Sequence, residues 1–457
     1  MSPLRDIRYP NSNLTFQNGV PQVFIGGQQG FPKGLMFPNK LNFAPRFGLS
    51  HNVPKYGLVL HAAYGIFFTP VDMNTWCNQR HNVPYVFPET QQSDNFIPAA
   101  AIVASHFNFA PAALGQTTVS FAAFESNPPP QYIQQWSGSV EKSLGQQTTL
   151  ELGYLGSHGV HLQRSHLINN APPGPGAIGP RRPFKVLAFV NGSVLPDNIT
   201  VVSTTFPISG INLLENSAQS WYDAGYVNVR RRFARGWTLL ANYTFAKNLS
   251  DAPDFRSPMF ESAIPQDNSN LRSEKGLSCD LRHRFALSAV YDLPAWTHRG
   301  FVRALTKNWR LSALYQAQTG FPLTISVFGD TANAGTLLGE NPIRANYTGQ
   351  AVFTSGTHTA ASWFNPAAFA TPAAFTFGNV GRNTVYGPGM QTLDLALQRE
   401  FNLTEKMKFQ VRAEFFNALN HINLGTPNRF VNTPQFGTIT EAATPGREIQ
   451  FGARLSF

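Results

Sequence analysis

Gly174, Gly176 and Gly179 stand at the spacing of a dinucleotide-binding turn, where glycines let the backbone close on a pyrophosphate at a helix N-terminus. Pro172, Pro173, Pro175 and Pro180 surround them, so no strand leads in and no helix can begin, and the segment reads as a flexible loop. His158, His161 and His166 are the nearest approach to a set of metal ligands. Their spacing matches no common site, and on a strand His158 and His161 point to opposite faces. Asp251, Asp254, Glu261, Asp267, Glu274 and Asp280 are too dispersed for the compact oxygen cage that calcium needs, and they read as a solvated loop. The two cysteines, Cys77 and Cys279, form either one disulfide in an oxidising compartment or two separate thiols. The chain has no P-loop, no His-Glu-x-x-His and no Gly-x-Ser-x-Gly. No catalytic residue, cofactor or metal is expected.

The order in the chain is a two-residue period. From 447 to 457, Ile449, Phe451, Ala453, Leu455 and Phe457 fall on one side, with Glu448, Gln450, Gly452, Arg454 and Ser456 on the other. That is a strand with one apolar and one polar face. Leu393, Leu395 and Leu397 alternate with Asp394, Ala396 and Gln398, and Phe409, Val411, Ala413 and Phe415 with Gln410, Arg412 and Glu414. Phe285, Leu287, Ala289 and Tyr291 interleave with Arg284, Ala286, Ser288 and Asp292; Trp309, Leu311, Ala313 and Tyr315 continue the pattern. Val227, Val229 and Phe233 lead through the turn Ala234-Arg235-Gly236 into Trp237, Leu239, Ala241, Tyr243 and Phe245, a hairpin with glycine where positive φ is cheap. Runs of about ten residues are long for soluble strands and suit a tilted membrane-spanning strand.

Composition agrees. Charged residues are 13% of the 457, well under the roughly 25% of a soluble domain, while 38 Phe, 13 Tyr and 7 Trp supply aromatic surface. Mean hydropathy is only −0.19, and no apolar run reaches the length of about 18 residues that a spanning helix needs. A barrel reconciles the two, because its lumen is polar and only alternate residues meet lipid. Net charge is +10, yet the densest basic run, Arg230, Arg231, Arg232 and Arg235, lies at a strand end and turn rather than in a nucleic-acid patch. The expected reading places Arg231 on the lipid side, where it snorkels to headgroups. Long connections over 69–130, 169–220, 248–280 and 329–390 contrast with short turns at 234–236 and 402–405, the asymmetry of extracellular and periplasmic loops.

The tail Gln450-x-Gly452-x-x-Leu455-x-Phe457 resembles the C-terminal assembly signal of bacterial outer-membrane barrels. Further pieces resemble, in order, TonB-dependent outer-membrane receptors of the Oar-like, carboxypeptidase-regulatory-domain-containing kind. They are Asn42-Phe-Ala-Pro-Arg-Phe-Gly-Leu-Ser, Ala63-Tyr-Gly-Ile-Phe-Phe, Gln134-Gln-Trp-Ser-Gly-Ser-Val and Leu152-Gly-Tyr-Leu-Gly-Ser-His. The order continues with Arg231-Arg-Phe-Ala-Arg-Gly, Tyr243-Thr-Phe-Ala-Lys, Asp280-Leu-Arg-His-Arg-Phe, Phe377-Gly-Asn-Val-Gly-Arg-Asn and Arg412-Ala-Glu-Phe-Phe-Asn-Ala-Leu-Asn-His.

The resemblance implies a signal peptide, an immunoglobulin-like domain, a plug and a barrel of roughly 22 strands. Only roughly ten to twelve strands of an all-β, antiparallel up-and-down barrel are legible here. The expectation is therefore an extended segment over 1–41 and the C-terminal part of such a barrel over 42–457, beginning at an internal start or from a broken gene. Its parent would be a receptor for a bulky nutrient (a glycan, peptide or siderophore-like ligand), and the piece alone would not transport. Expected partners are outer-membrane lipid and lipopolysaccharide, the barrel assembly machinery, TonB through a missing plug, and no nucleic acid. Gln450, Gly452, Leu455 and Phe457 are the expected assembly signal; Arg284, Gln398, Arg412, Glu414 and Arg454 are expected to face the lumen. The alternatives are a structural or adhesive barrel without energised import, and a secreted soluble β-protein that binds carbohydrate.

Overall fold

In the computed structural model, the described residues are all but 1–13, 71–81, 85–111, 115–117, 196, 198, 202, 252–261, 263, 296–299 and 337–341. Eleven strands follow one another in a single meander. They are β1 (Arg46–Val53), β2 (Leu58–Phe68), β3 (Tyr132–Leu144), β4 (Thr148–Leu167), β5 (Thr205–Ala234) and β6 (Trp237–Ser250). The rest are β7 (His283–Leu293), β8 (Trp309–Gln318), β9 (Met390–Asn402), β10 (Lys408–Phe416) and β11 (Glu448–Ser456). Each pairs antiparallel with its sequence neighbours, and the sheet does not close: β1 and β11 are its edges.

The register carries the two-residue period across the whole sheet. Directly opposed residues share a face, so Tyr291–Leu311–Leu397–Ala413–Phe451 is one apolar row and Asp292–Arg310–Gln398–Arg412–Gly452 its polar counterpart. The apolar rows are not buried between two sheets. Phe47 is 80% exposed, Phe451 79% and Phe457 96%. A soluble sandwich would have to bury such a face, so the soluble alternative fails on this geometry.

The connections separate by length. At one rim β1–β2, β3–β4, β5–β6 and β9–β10 are joined by residues 54–57, 145–147, 235–236 and 403–407. The fifth link there, 294–308, carries the single α-helix among the described residues, α1 (Gly300–Thr306). At the opposite rim the connections are 69–131, 168–204, 251–282, 319–389 and 417–447. Arg235 and Gly236, at φ 53° and 83°, make the tight two-residue turn of a twisted hairpin, with Ala234 paired to Trp237. Trp237, Tyr291 and Trp309 line the short-turn rim on the apolar face. There the Arg231 guanidinium lies 4.0 Å over the Trp237 ring and donates to Thr148 Oγ1 at 3.2 Å, an aromatic-girdle position.

The long-loop rim departs from expectation. Residues 205–220, expected within a loop, are the outer half of the 30-residue β5. At about 3.3 Å per residue that strand runs roughly 100 Å, far beyond a hydrocarbon layer of about 30 Å. Its outer half pairs with the end of β4, with Val119–Phe124 in parallel and with Val186–Phe189. A hairpin, Leu14–Gln17 with Val20–Val23, turns on Asn18-Gly19 within the segment expected to be extended, and adds to the same edge. Together they bury Leu14, Phe121, Leu187, Phe206, Ile211 and Leu213. A second buried cluster, around Leu323, Ile325, Phe364 and Val385, lies inside the 319–389 loop. Each such side chain contributes about 1.5–3 kcal/mol when fully buried, so these long loops are folded bodies.

Candidate functional site

The polar face and the folded loops above it are the surfaces a ligand would meet. All five residues expected in the lumen share that polar face. Arg284 lies opposite Gln318; Gln398 sits between Arg310 and Arg412; Glu414 faces Gln450; Arg454 faces Gln410. Arg412 Nη2 and Glu414 Oε1 are 2.6 Å apart, and Arg310 Nε donates to Asp292 Oδ1 at 2.5 Å. Gln450 and Gly452 of the tail lie on the polar face, whereas Leu455 belongs to the apolar one with Phe409 and Val411.

Sequence reading missed the polar centre of β2–β5. Glu141 and Glu151 are directly opposed, and Tyr226 Oη donates to Glu151 Oε1 at 2.8 Å. Tyr226 reaches there because its ring lies where a Cβ on Gly153 would be, only 2.3 Å from the ring carbon Cζ. Further toward the long-loop rim an open niche of about 550 Å³ is lined by Arg46, Phe67, Gln135, Ser137, Ser157 and Tyr222 among others. Arg46 lies 4.6 Å over the Phe67 ring. The signal for this niche, small residues alternating with aromatics on β2–β4, resembles ordinary strand patterning in sequence.

The loops are joined by buried polar groups. Arg344 Nη2 and Glu274 Oε1 are 3.1 Å apart with both side chains almost fully buried, and Gln266 bridges them by accepting from the Arg344 N–H at 2.8 Å. This links the 251–282 loop to the 319–389 loop. Asp280 does the same: it accepts from the Asn248 N–H at 2.6 Å, from Tyr386 Oη at 2.6 Å and from Arg282 at 3.2 Å. Burial, with Asp280 alongside, pushes the Tyr386 phenol above its ordinary range. Gly174 and Gly176 do not form a phosphate cradle; their carbonyls accept from Asn333 Nδ2 at 2.9 and 2.8 Å, so this loop is pinned rather than flexible.

The three histidines do not converge. His158 stacks on Trp221, His161 meets Tyr132 edge-on, and His166 is buried beside Glu215 at 3.8 Å. Burial pushes the His166 imidazole below its ordinary value. Burial alone would raise Glu215, but facing His166, Ser217 and Arg164 hold its carboxyl below the usual range. Of the dispersed acids, Asp254 and Glu261 lie outside the described residues, as does Cys77. Among the described residues no group of side chains is arranged to hold a metal ion.

A family model described as an outer membrane beta barrel domain matches residues 1–450. No curated protein matches the chain. Among solved structures, the outer membrane transporter YddB from Escherichia coli aligns with a TM-score of 0.43 at 8% identity, over 87% of this chain and 38% of that one. The ferripyoverdine receptor of Pseudomonas aeruginosa aligns with a TM-score of 0.37 at 10% identity, over 91% and 33%. The siderophore receptor PirA from Acinetobacter baumannii gives 0.38 at 9% identity, over 91% and 41%. The chain thus spans between a third and about two fifths of the length of these structures. With its match extending over nearly the whole sequence, the chain belongs to the outer membrane beta barrel domain family, and its place is the bacterial outer membrane.

Proposed function

We propose that the chain is the C-terminal barrel portion of a TonB-dependent, Oar-like receptor that imports a bulky nutrient, and that it works by binding and passage without covalent chemistry. The observation that carries this reading is the pairing of a continuous polar face over eleven strands with long, interlocked loops on one rim only. A passive scaffold needs neither a lined lumen nor loops with their own buried cores. The ordered series of receptor-like motifs from Asn42 to Phe457 supports the finer assignment. In this reading Arg284, Gln398, Arg412, Glu414 and Arg454 line the passage, while Gln450, Gly452, Leu455 and Phe457 present the strand to the assembly machinery. Lipopolysaccharide contacts the apolar face.

Growth on a panel of oligosaccharides, peptides and ferric siderophores tests the proposal. Deleting the gene is expected to abolish use of one class, and deleting tonB is expected to abolish the same class. A strain that lacks the gene yet grows normally on the whole panel, with altered surface adhesion, would favour the structural or adhesive barrel.

A further inference from the structure

The wall formed by β6–β9 carries a cleft of about 360 Å³ at its long-loop end, lined by Tyr243, His283, Phe285, Ala317, Gln391 and His421 among others. Register puts it on the apolar face. Tyr243, Phe285, Ala317 and Gln391 are opposed in turn across the four strands, and His283 is opposed to Phe245. Ala317, small between Phe285 and Gln391, makes the depression. Loop 417–447 closes one side through His421 and is held there at two points. Asn423 accepts from the Gln391 N–H at 2.8 Å and donates Nδ2 to the Gln391 carbonyl at 3.0 Å. Asn417 does the same for His421, accepting from its N–H at 3.0 Å and donating to its carbonyl at 2.9 Å.

The level of the cleft on the wall decides what can enter it. From Tyr291, in the short-turn girdle, back to His283, β7 runs eight residues, roughly 26 Å at about 3.3 Å each. The apolar band of an outer-membrane barrel is about 25 Å tall. Leu287 and Ala289 fill the same face between them. His283 therefore stands where hydrocarbon gives way to the headgroups of the outer leaflet. Polar side chains on a lipid-facing wall are costly within hydrocarbon and are satisfied at that boundary.

The side chains suit an anion that also carries hydroxyls. Tyr243 Oη and His283 Nδ1 are 2.7 Å apart, and with the phenol donating, Nε2 keeps the ring proton and remains a donor. Tyr315 Oη donates to Gln391 Oε1 at 3.3 Å, which leaves the amide N–H groups of Gln391 for a ligand. The His421 imidazole has no hydrogen-bond partner among the described residues, and none of the residues lining the cleft is acidic. Two residues beyond Phe245 on the same face, Lys247 is exposed and forms no ion pair among the described residues. Its opposite, Asp223, accepts instead from Tyr154 Oη. We propose that this cleft binds the phosphorylated sugar headgroup of an outer-leaflet glycolipid, and so ties loop 417–447 to the membrane surface. Histidine and lysine meet the phosphate through charge-assisted hydrogen bonds, while acyl chains run down the wall over Leu287 and Tyr315. The inference rests on the outer-membrane reading above and gives its lipid contact a site.

Lipid titration followed by native mass spectrometry tests it. The protein is purified in detergent from outer membranes of the bacterium that encodes it, stripped of lipid, and titrated with bisphosphorylated lipid A. Parallel titrations use dioleoylphosphatidylglycerol and, as a competitor, soluble glucosamine 1-phosphate. One lipid A per chain is expected to bind saturably. His283→Ala with His421→Ala is expected to weaken binding at least tenfold while keeping the heat-modifiable form. Lys142→Ala, on the same face at the short-turn rim, is expected to leave it unchanged. Should the double variant lose the heat-modifiable form, His421→Ala alone, at an exposed loop position, is read in its place. Parent-like affinity in the variant, no saturable lipid A, or equal binding of phosphatidylglycerol overturns the proposal. Equal competition by glucosamine 1-phosphate shows a site for free sugar phosphate and overturns the lipid assignment. Absence of the protein from the outer membrane would overturn the barrel reading itself, whereas its presence there without this binding overturns the site alone.

Discussion

Gly153 and Gly156 show what the receptor-like motifs do in this molecule. Each leaves room for an aromatic ring from the neighbouring strand, Tyr226 over Gly153 and Trp136 over Gly156. Other motif residues fasten loops to the sheet. Asp280 holds the Asn248 N–H and Tyr386, Asn383 Nδ2 donates to the Leu277 carbonyl at 2.7 Å, and Asn417 Nδ2 donates to the His421 carbonyl at 2.9 Å. These motif residues therefore mark joints between loop and sheet. Gly153→Val is expected to displace Tyr226 from Glu151 and cost about 1–3 kcal/mol, by the usual penalty of overpacking, read as a lower urea midpoint for loss of heat-modifiable mobility. Gly225→Ala on β5, where an added Cβ meets nothing within 4 Å, is the control expected to stay near the parent. Arg344→Met strands the buried Glu274 carboxylate and is expected to cost about 3–5 kcal/mol of loop stability, seen as faster trypsin cleavage within 319–389.

At the scale of elements, strands were legible where one face meets lipid and the other a polar lumen, because only then does alternation survive in sequence. β7, β8, β9, β10 and β11 satisfy that condition. The outer half of β5 does not: it packs Ile211 and Leu213 into a core while Leu214 lies on the other side, so it read as loop. The Asn18-Gly19 turn is a strong hairpin signal, but its two strands are only four residues each and Pro21 interrupts the second, so no strand period develops around it. The interlocked loops were illegible for another reason: their contacts, such as Arg344 with Glu274, span 70 residues and leave no period. The outer stem around His166 also carries a pH response. Its imidazole value is depressed in the folded state, so its contribution is present above the unfolded value of about 6.5 and is lost as pH falls through the folded value. Glu215, also held low, acts in the same direction at more acidic pH, while Glu125, raised by burial, opposes it. Amide protection factors at 164–167 and 211–217, with the intrinsic exchange rate divided out, are expected to fall between pH 7 and 5, and His166→Gln is expected to remove the upper part of that change. Protection that rises on acidification would contradict the assignment.

For the whole molecule, the two faces govern behaviour. Replacing Leu455 and Phe457 by Ser in a full-length homologous barrel is expected to leave secretion to the periplasm intact and to impair insertion, measured as loss of the heat-modifiable form. The central claim is that one face of the meander meets lipid and the other an aqueous lumen. Single cysteines placed in turn at positions 408–415 and 449–456, in isolated outer membranes, test it with a membrane-impermeant maleimide. Labelling is expected to alternate strictly, high at Gln410, Arg412, Glu414, Gln450, Gly452 and Arg454 and low at Phe409, Val411, Ala413, Phe415, Phe451 and Leu455. Equal labelling of both sets, or protection of the polar set instead, would contradict the account.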